Sequence, residues 1–169
     1  LAAIEFMSGN AQLSIEILED TIKEFEDEQS YFNLGKIKKD LFKNDEAKKL
    51  FKKTIKINKN FISAYIGIAE INILENKFDT ALDFLDEAKK IDKNFKNLNY
   101  FYGEIFFNKR EFSRAENFYE KELKLYPKSD LSLFGLARIK EGSFLREEAI
   151  SLYEKSLDIK KTLWALINL

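Results

Sequence analysis

Small and large apolar residues fall in columns 34 residues apart. Ala47, Ala81, Ala115 and Ala149 keep that interval without a gap. Twelve residues before each stands another small residue, Gly35, Ala69, Gly103 and Ala137, and two beyond those stand Ile37, Ile71, Ile105 and Ile139. Large apolar side chains follow each alanine by four, at Phe51, Leu85, Tyr119 and Tyr153, with Leu50, Phe84, Phe118 and Leu152 just before them. A repeat of this length holds two helices. Small residues on both helices let them approach closely, and a bulky substitute there overpacks by about 1–3 kcal/mol. Breaks at Asn58, Asp92 and Pro127 close the second helix near the same phase of the period. The pattern predicts about ten helices in antiparallel pairs, hairpin turns near Asn44, Lys77, Arg110 and Phe144, buried alanine columns and no β-sheet.

Tyr31, Leu34 and Gly35, followed by Ala47 and Phe51, resemble the signature of the tetratricopeptide repeat family, which reads W-x2-L-G-x2-Y, then A-x3-F, then P. Tyr65, Ile68 and Ala69 with Ala81 and Leu85 carry it into a second repeat, and Tyr102, Gly103, Ala115, Tyr119 and Pro127 into a third. Leu136, Ala137, Ala149 and Tyr153 carry it into a fourth. The resemblance implies an all-α fold, a right-handed α-solenoid of stacked antiparallel helix pairs, spanning 1–169 as a single domain. Residues 1–27 form an atypical first repeat, with Ala2, Ile4 and Ser14 in the columns and Ile17, Leu18 and Ile22 after them. Full repeats follow at 28–61, 62–95, 96–129 and 130–163, and residues 164–169 begin a further helix. One hairpin is too small to bury its apolar face, so each gains stability by stacking on its neighbours.

In such proteins the first helix of each repeat lines a concave groove. On that implication Phe32, Ile66, Tyr100 and Phe134, again 34 apart, face a partner. Seven residues on, and so on the same helical face, lie Phe6 from the first unit, Lys39, Ile73, Phe107 and Glu141, with Lys36, Glu70, Glu104 and Arg138 between. The candidate surface is therefore Phe32, Lys36, Ile66, Glu70, Ile73, Tyr100, Glu104, Phe107, Phe134 and Arg138, an apolar and partly aromatic trough with charged flanks, suited to the apolar face of a helix or to an extended peptide. The competing reading places these rings in the gaps between neighbouring helices. Some family members hold a partner's C-terminal carboxylate on Lys, Asn and Arg; the matching columns here hold Phe32 and Lys36, then Gly67, then Asn97 and Phe101, which does not imply that activity.

Composition narrows the chemistry. The 169 residues contain no cysteine and no histidine, which removes thiolate sites, disulfides and every mechanism that needs an imidazole base. Carboxylate pairs at helical spacing, Asp79 with Asp83 and Glu116 with Glu120, read as surface charge partners. No glycine-rich phosphate loop or nucleophile elbow is present. The expectation is a chain with no catalytic residues, no cofactor and no metal. Charge is uneven: residues 1–28 hold eight acids and one lysine, and residues 36–59 hold ten lysines and three acids. Lys48, Lys49, Lys52, Lys53 and Lys56 form a ridge without arginine or aromatic partners, read as a solvated face and not as a nucleic-acid site. No run of eighteen apolar residues is present, so membrane insertion by this chain is not expected.

The functional expectation is a protein–protein interaction scaffold that binds a partner helix or peptide within a multi-protein assembly, and not an enzyme. Two alternatives stand beside it. One is self-association through apolar ends, motivated by Leu163, Trp164, Leu166, Ile167 and Leu169. The other is a regulatory or targeting domain of a larger enzyme, since a chain that opens at Leu1 and ends within an apolar helical stretch reads as a piece of a longer protein.

Overall fold

A computed structural model describes the backbone of residues 11–167 and the side chains of 12–161. The described residues form nine α-helices and no strand: α1 (Ala11–Glu24), α2 (Glu28–Asp40), α3 (Asn44–Ile57), α4 (Ile62–Leu74), α5 (Phe78–Ile91), α6 (Leu98–Asn108), α7 (Phe112–Leu125), α8 (Asp130–Gly142) and α9 (Arg146–Ile167). The chain is an all-α helical repeat. Its helices group into two compact units that divide between Asp92 and Lys93. In the first, α1 packs on α2, the hairpins α2/α3 and α4/α5 close on themselves, and α3 and α2 both pack on α4. In the second, α6/α7 and α8/α9 form the hairpins, and α7 and α6 both pack on α8.

The hairpin turns share one mechanism. Phe42, Asn76, Arg110 and Phe144, 34 residues apart, all adopt the left-handed conformation, with φ between 58° and 62°. In the first turn the Lys43 amide donates to the Lys38 carbonyl (2.8 Å) and the Phe42 amide to that of Lys39 (2.9 Å), and the same two bonds recur at the other three. This is the Schellman arrangement, which satisfies carbonyls left over at the end of the first helix and reverses the chain. The turns lie within two residues of their expected places.

The columns behave as the pattern requires. Ala47, Ala81, Ala115 and Ala149 are buried, as are Ile37, Ile71, Ile105 and Ile139. Phe51 fills a slot between two backbones: a Cβ on Gly35 of α2 would lie 2.7 Å from its ring, and one on Gly67 of α4 2.8 Å. Tyr119 is held in the same way between Gly103 of α6 and Gly135 of α8, where an added Cβ would again fall inside 3.0 Å of the ring. In the intervening repeat the residue at this place is Leu85, fully buried, and the small residue is Ala69. Ring size and backbone bulk are thus matched over 68 residues, two repeats at a time.

A second column pins helix ends with polar groups. Thr54 donates to the carbonyl of Glu28 (3.4 Å) and Ser156 to that of Asp130 (2.9 Å), each tying the second helix of a hairpin to the start of the first. At the equivalent place in the third repeat, the fully buried Glu122 accepts from the amides of Asn97 (2.6 Å) and Asn99 (3.2 Å). Its carboxylate satisfies amides that α6 cannot satisfy internally and sits at the positive end of the helix dipole.

Two expectations concern the chain ends. A break before residue 164 is absent, because α9 runs on to Ile167 as one helix; Lys160 stands where Asn58 and Asp92 stop the earlier helices, and it is a good helix former. Ala2, Ile4 and Phe6, and the side chains of Leu163, Trp164, Leu166, Ile167 and Leu169, lie outside the described residues.

Candidate partner-binding surfaces

In the first unit the candidate residues come from α2 and α4. Phe32 is half-buried, 4.9 Å from the Phe61 ring and 5.6 Å from Phe51, so one side of it packs against the core. Lys36 is exposed and holds its ammonium 6.0 Å above the Phe32 ring. Ile66 is buried and offers almost no surface. Glu70 receives Lys39 at 2.6 Å, a pair that joins neighbouring first helices, and Ile73 is half-buried beside it. This face is mostly closed by its own contacts.

In the second unit α6 and α8 present a more open face. Phe134 is 48% exposed, and its ring meets Tyr153 edge-on at 5.3 Å. Phe107 is half-buried, 5.4 Å from Phe112, and the Arg138 guanidinium lies 3.8 Å over it. Arg138 also donates to both carboxylate oxygens of Glu104 (3.0 and 3.2 Å). The Tyr119 hydroxyl donates a short hydrogen bond to the same carboxylate. Burial, and then the Glu104 charge, push the Tyr119 phenol far above its usual range, so it stays protonated and serves as a fixed donor. Tyr100 packs 6.1 Å from Tyr119 and 5.1 Å from Phe101. Phe107 thus carries a cation held in place by Glu104, and Phe134 lies one turn before that Arg138 on α8.

The ring column is divided in exposure. Ile66 is buried, Phe32 and Tyr100 are half-buried against neighbouring rings, and Phe134 is exposed. Tyr153 and Phe112, which the ring column does not include, contact Phe134 and Phe107. Tyr153 was legible as the next member of the Phe51 column, left half-exposed where Phe51, Leu85 and Tyr119 are fully buried. Among the described residues no group of three or more Asp, Glu, His or Cys is placed to hold a metal ion. No described helix is long and apolar enough to cross a membrane.

The sequence model of the tetratricopeptide repeat family matches residues 28–61. No curated protein matches the chain. Among solved structures, a thermophilic TPR protein of Thermus thermophilus superposes with a TM-score of 0.81 at 16% identity, covering 99% of this chain and 96% of that one. MamA superposes with a TM-score of 0.71 at 20% identity, covering 98% and 97% of the two chains. YrrB, described as a TPR protein with an unusual peptide-binding site, gives 0.62 at 14% identity, covering 95% and 83%. At these identities the likeness is one of fold.

Proposed function

We propose that this chain, a tetratricopeptide-type helical repeat by its matched repeat and its fold, is an interaction scaffold that binds a partner helix or extended peptide on the first-helix faces within a multi-protein assembly. The observation that carries the reading is Phe134: a ring 48% exposed, one turn along α8 from the Arg138 that caps a half-buried Phe107, is costly to leave in water and well suited to an apolar anchor. The peptide-binding site in the description of YrrB supports the same class of partner. The reading includes no catalytic step, cofactor or metal.

The test pairs capture with stability. Phe134→Ala with Phe107→Ala is expected to abolish capture of the principal partner from the native cell, with the melting temperature little changed. Retained capture, or a fall in melting temperature of the size expected for truncating a core ring, about 3–5 kcal/mol, sinks the proposal.

A further inference from the structure

Each unit carries the same cleft on the side of its first helices opposite to the surfaces described above. In the first unit it lies between α3 and α5 over α4, encloses about 490 Å³, and is lined by Lys48, Lys49, Lys52, Asn72, Thr80 and Phe84 among others. In the second it also encloses about 490 Å³, and most of its lining lies 68 residues further on: Glu116, Glu120, Leu136, Lys140, Glu148 and Leu152 stand where Lys48, Lys52, Ile68, Asn72, Thr80 and Phe84 stand in the first. The walls are inverted in charge. At about 100° per residue, Ile68 and Asn72 lie roughly half a turn round α4 from Ile66 and Glu70.

The four repeats show how this place is normally closed. The residue at the floor pairs with the one eight positions later: Lys38 with Glu46 at 3.0 Å, Lys140 with Glu148 at 3.9 Å, and Phe106 under Arg114 at 3.7 Å. Lys140 also reaches Glu116 across the second cleft at 2.7 Å, so an ammonium sits among the acidic walls. At the second repeat the pair is Asn72 and Thr80, both uncharged. Asn72 is buried and donates to the Ile68 carbonyl (2.8 Å). Lys48 turns to Glu75 (2.9 Å) and Asp45 (3.3 Å), and Lys77 to Glu75 (2.7 Å). Lys49 and Lys52 remain exposed, with no ion pair among the described residues. The one acid in the lining, Asp45, is taken up by Lys48, so no opposite charge stands between Lys49 and Lys52 at the places that Lys140 and Glu148 hold in the second unit.

We infer that the cleft between α3 and α5 binds an acidic peptide segment of a partner protein, with its carboxylates on Lys49 and Lys52 and an aliphatic side chain against Phe84. A carboxylate there occupies the place that Lys140 fills, with opposite sign, in the second unit. The cleft has no arginine, the side chain best matched to phosphate and nucleic acid, and its lining includes the apolar Ile68 and Phe84, which favours a peptide over a polyanion. This site is separate from the first-helix surfaces.

The experiment measures fluorescence anisotropy of a fluorescein-labelled peptide of alternating Glu, Asp and Leu against the whole chain, with its Gln/Asn counterpart as control, at low and raised salt. Saturable binding of the acidic peptide alone is expected, weakened by salt and reduced about tenfold or more by Lys49→Glu with Lys52→Glu. Thr80→Glu places an anion where Glu148 stands in the second cleft. It is expected to block the peptide while raising the melting temperature, a pair of results that structural damage does not produce. Phe134→Ala, which tests the first-helix surface of the second unit, leaves this binding unchanged. No saturable binding, equal binding of the neutral peptide, or indifference to the two lysine reversals returns the lysines to a solvated face. Tighter binding of oligo(dT) or polyphosphate than of the peptide overturns the choice of occupant.

Discussion

Phe51 in the first unit and Tyr119 in the second fill the same slot, yet they leave different surfaces above it. Both rings are clamped between two glycines of successive first helices. Phe51 ends in carbon, and the charged residues nearby pair among themselves, Lys39 with Glu70. Tyr119 ends in a hydroxyl that donates to Glu104, and Glu104 in turn holds Arg138 over Phe107. One oxygen atom therefore links the buried slot to the open face of the second unit. Packing sets where a first helix can approach, and the polar tip of the packed ring decides whether the side chains above it are held still.

The largest way to break the comparison is to empty the slot. Phe51→Ala and Tyr119→Ala should each cost about 3–5 kcal/mol in urea unfolding, with hydrogen exchange locating the loss in the mutated unit. A cost below about 1 kcal/mol at either ring would show that the two slots do not obey one rule.

Next come the glycines. Gly35→Ala or Gly67→Ala should cost about 1–3 kcal/mol, because the Phe51 ring is held from both sides and cannot retreat. Phe51→Leu should rescue part of that loss, since Leu85 already lives beside Ala69 in the intervening repeat. A double mutant no better than the sum of the two single changes would break the size-matching argument.

Tyr119→Phe makes the second unit resemble the first. It should cost about 1 kcal/mol at neutral pH, the usual net worth of one hydrogen bond, and loosen Arg138. The alkaline behaviour sharpens this. The folded phenol is raised above its unfolded value of about 10, so its contribution is complete below that pH and is lost as pH rises through and beyond it. Wild-type stability should therefore fall more steeply above about pH 10 than that of Tyr119→Phe. Parallel slopes would mean that Tyr119 ionises as freely when folded as when unfolded.

The smallest effect lies in the turns. Phe144 holds a φ of 61° with 96% of its surface exposed, so its ring gains nothing from packing to offset the backbone strain. Phe144→Gly should stabilise the chain by about 0.5–1 kcal/mol, while Asn76→Gly, starting from a residue that tolerates this conformation, should change little. Equal responses at the two turns would remove the strain argument.

The sequence alone determined the period, the helical hairpins, the buried alanine and isoleucine columns and the turns to within two residues. These follow from local spacing: a 34-residue recurrence needs only that each hairpin stack on the next like its predecessor. It also supplied the ring column that contains Phe134. Which members of that column face outward was decided by tertiary structure, because exposure depends on the neighbouring helix's side chains: Phe32, against Phe61 and Phe51, is half-buried, while Phe134, met edge-on by Tyr153, stays 48% exposed. The lysine ridge was legible only as a solvated face. That Lys49 and Lys52 wall a cleft over an uncharged Asn72 and Thr80 is a fact of stacking, which brings residues some 20 to 30 positions apart to one place and makes the charge of each count only against its neighbours across the cleft.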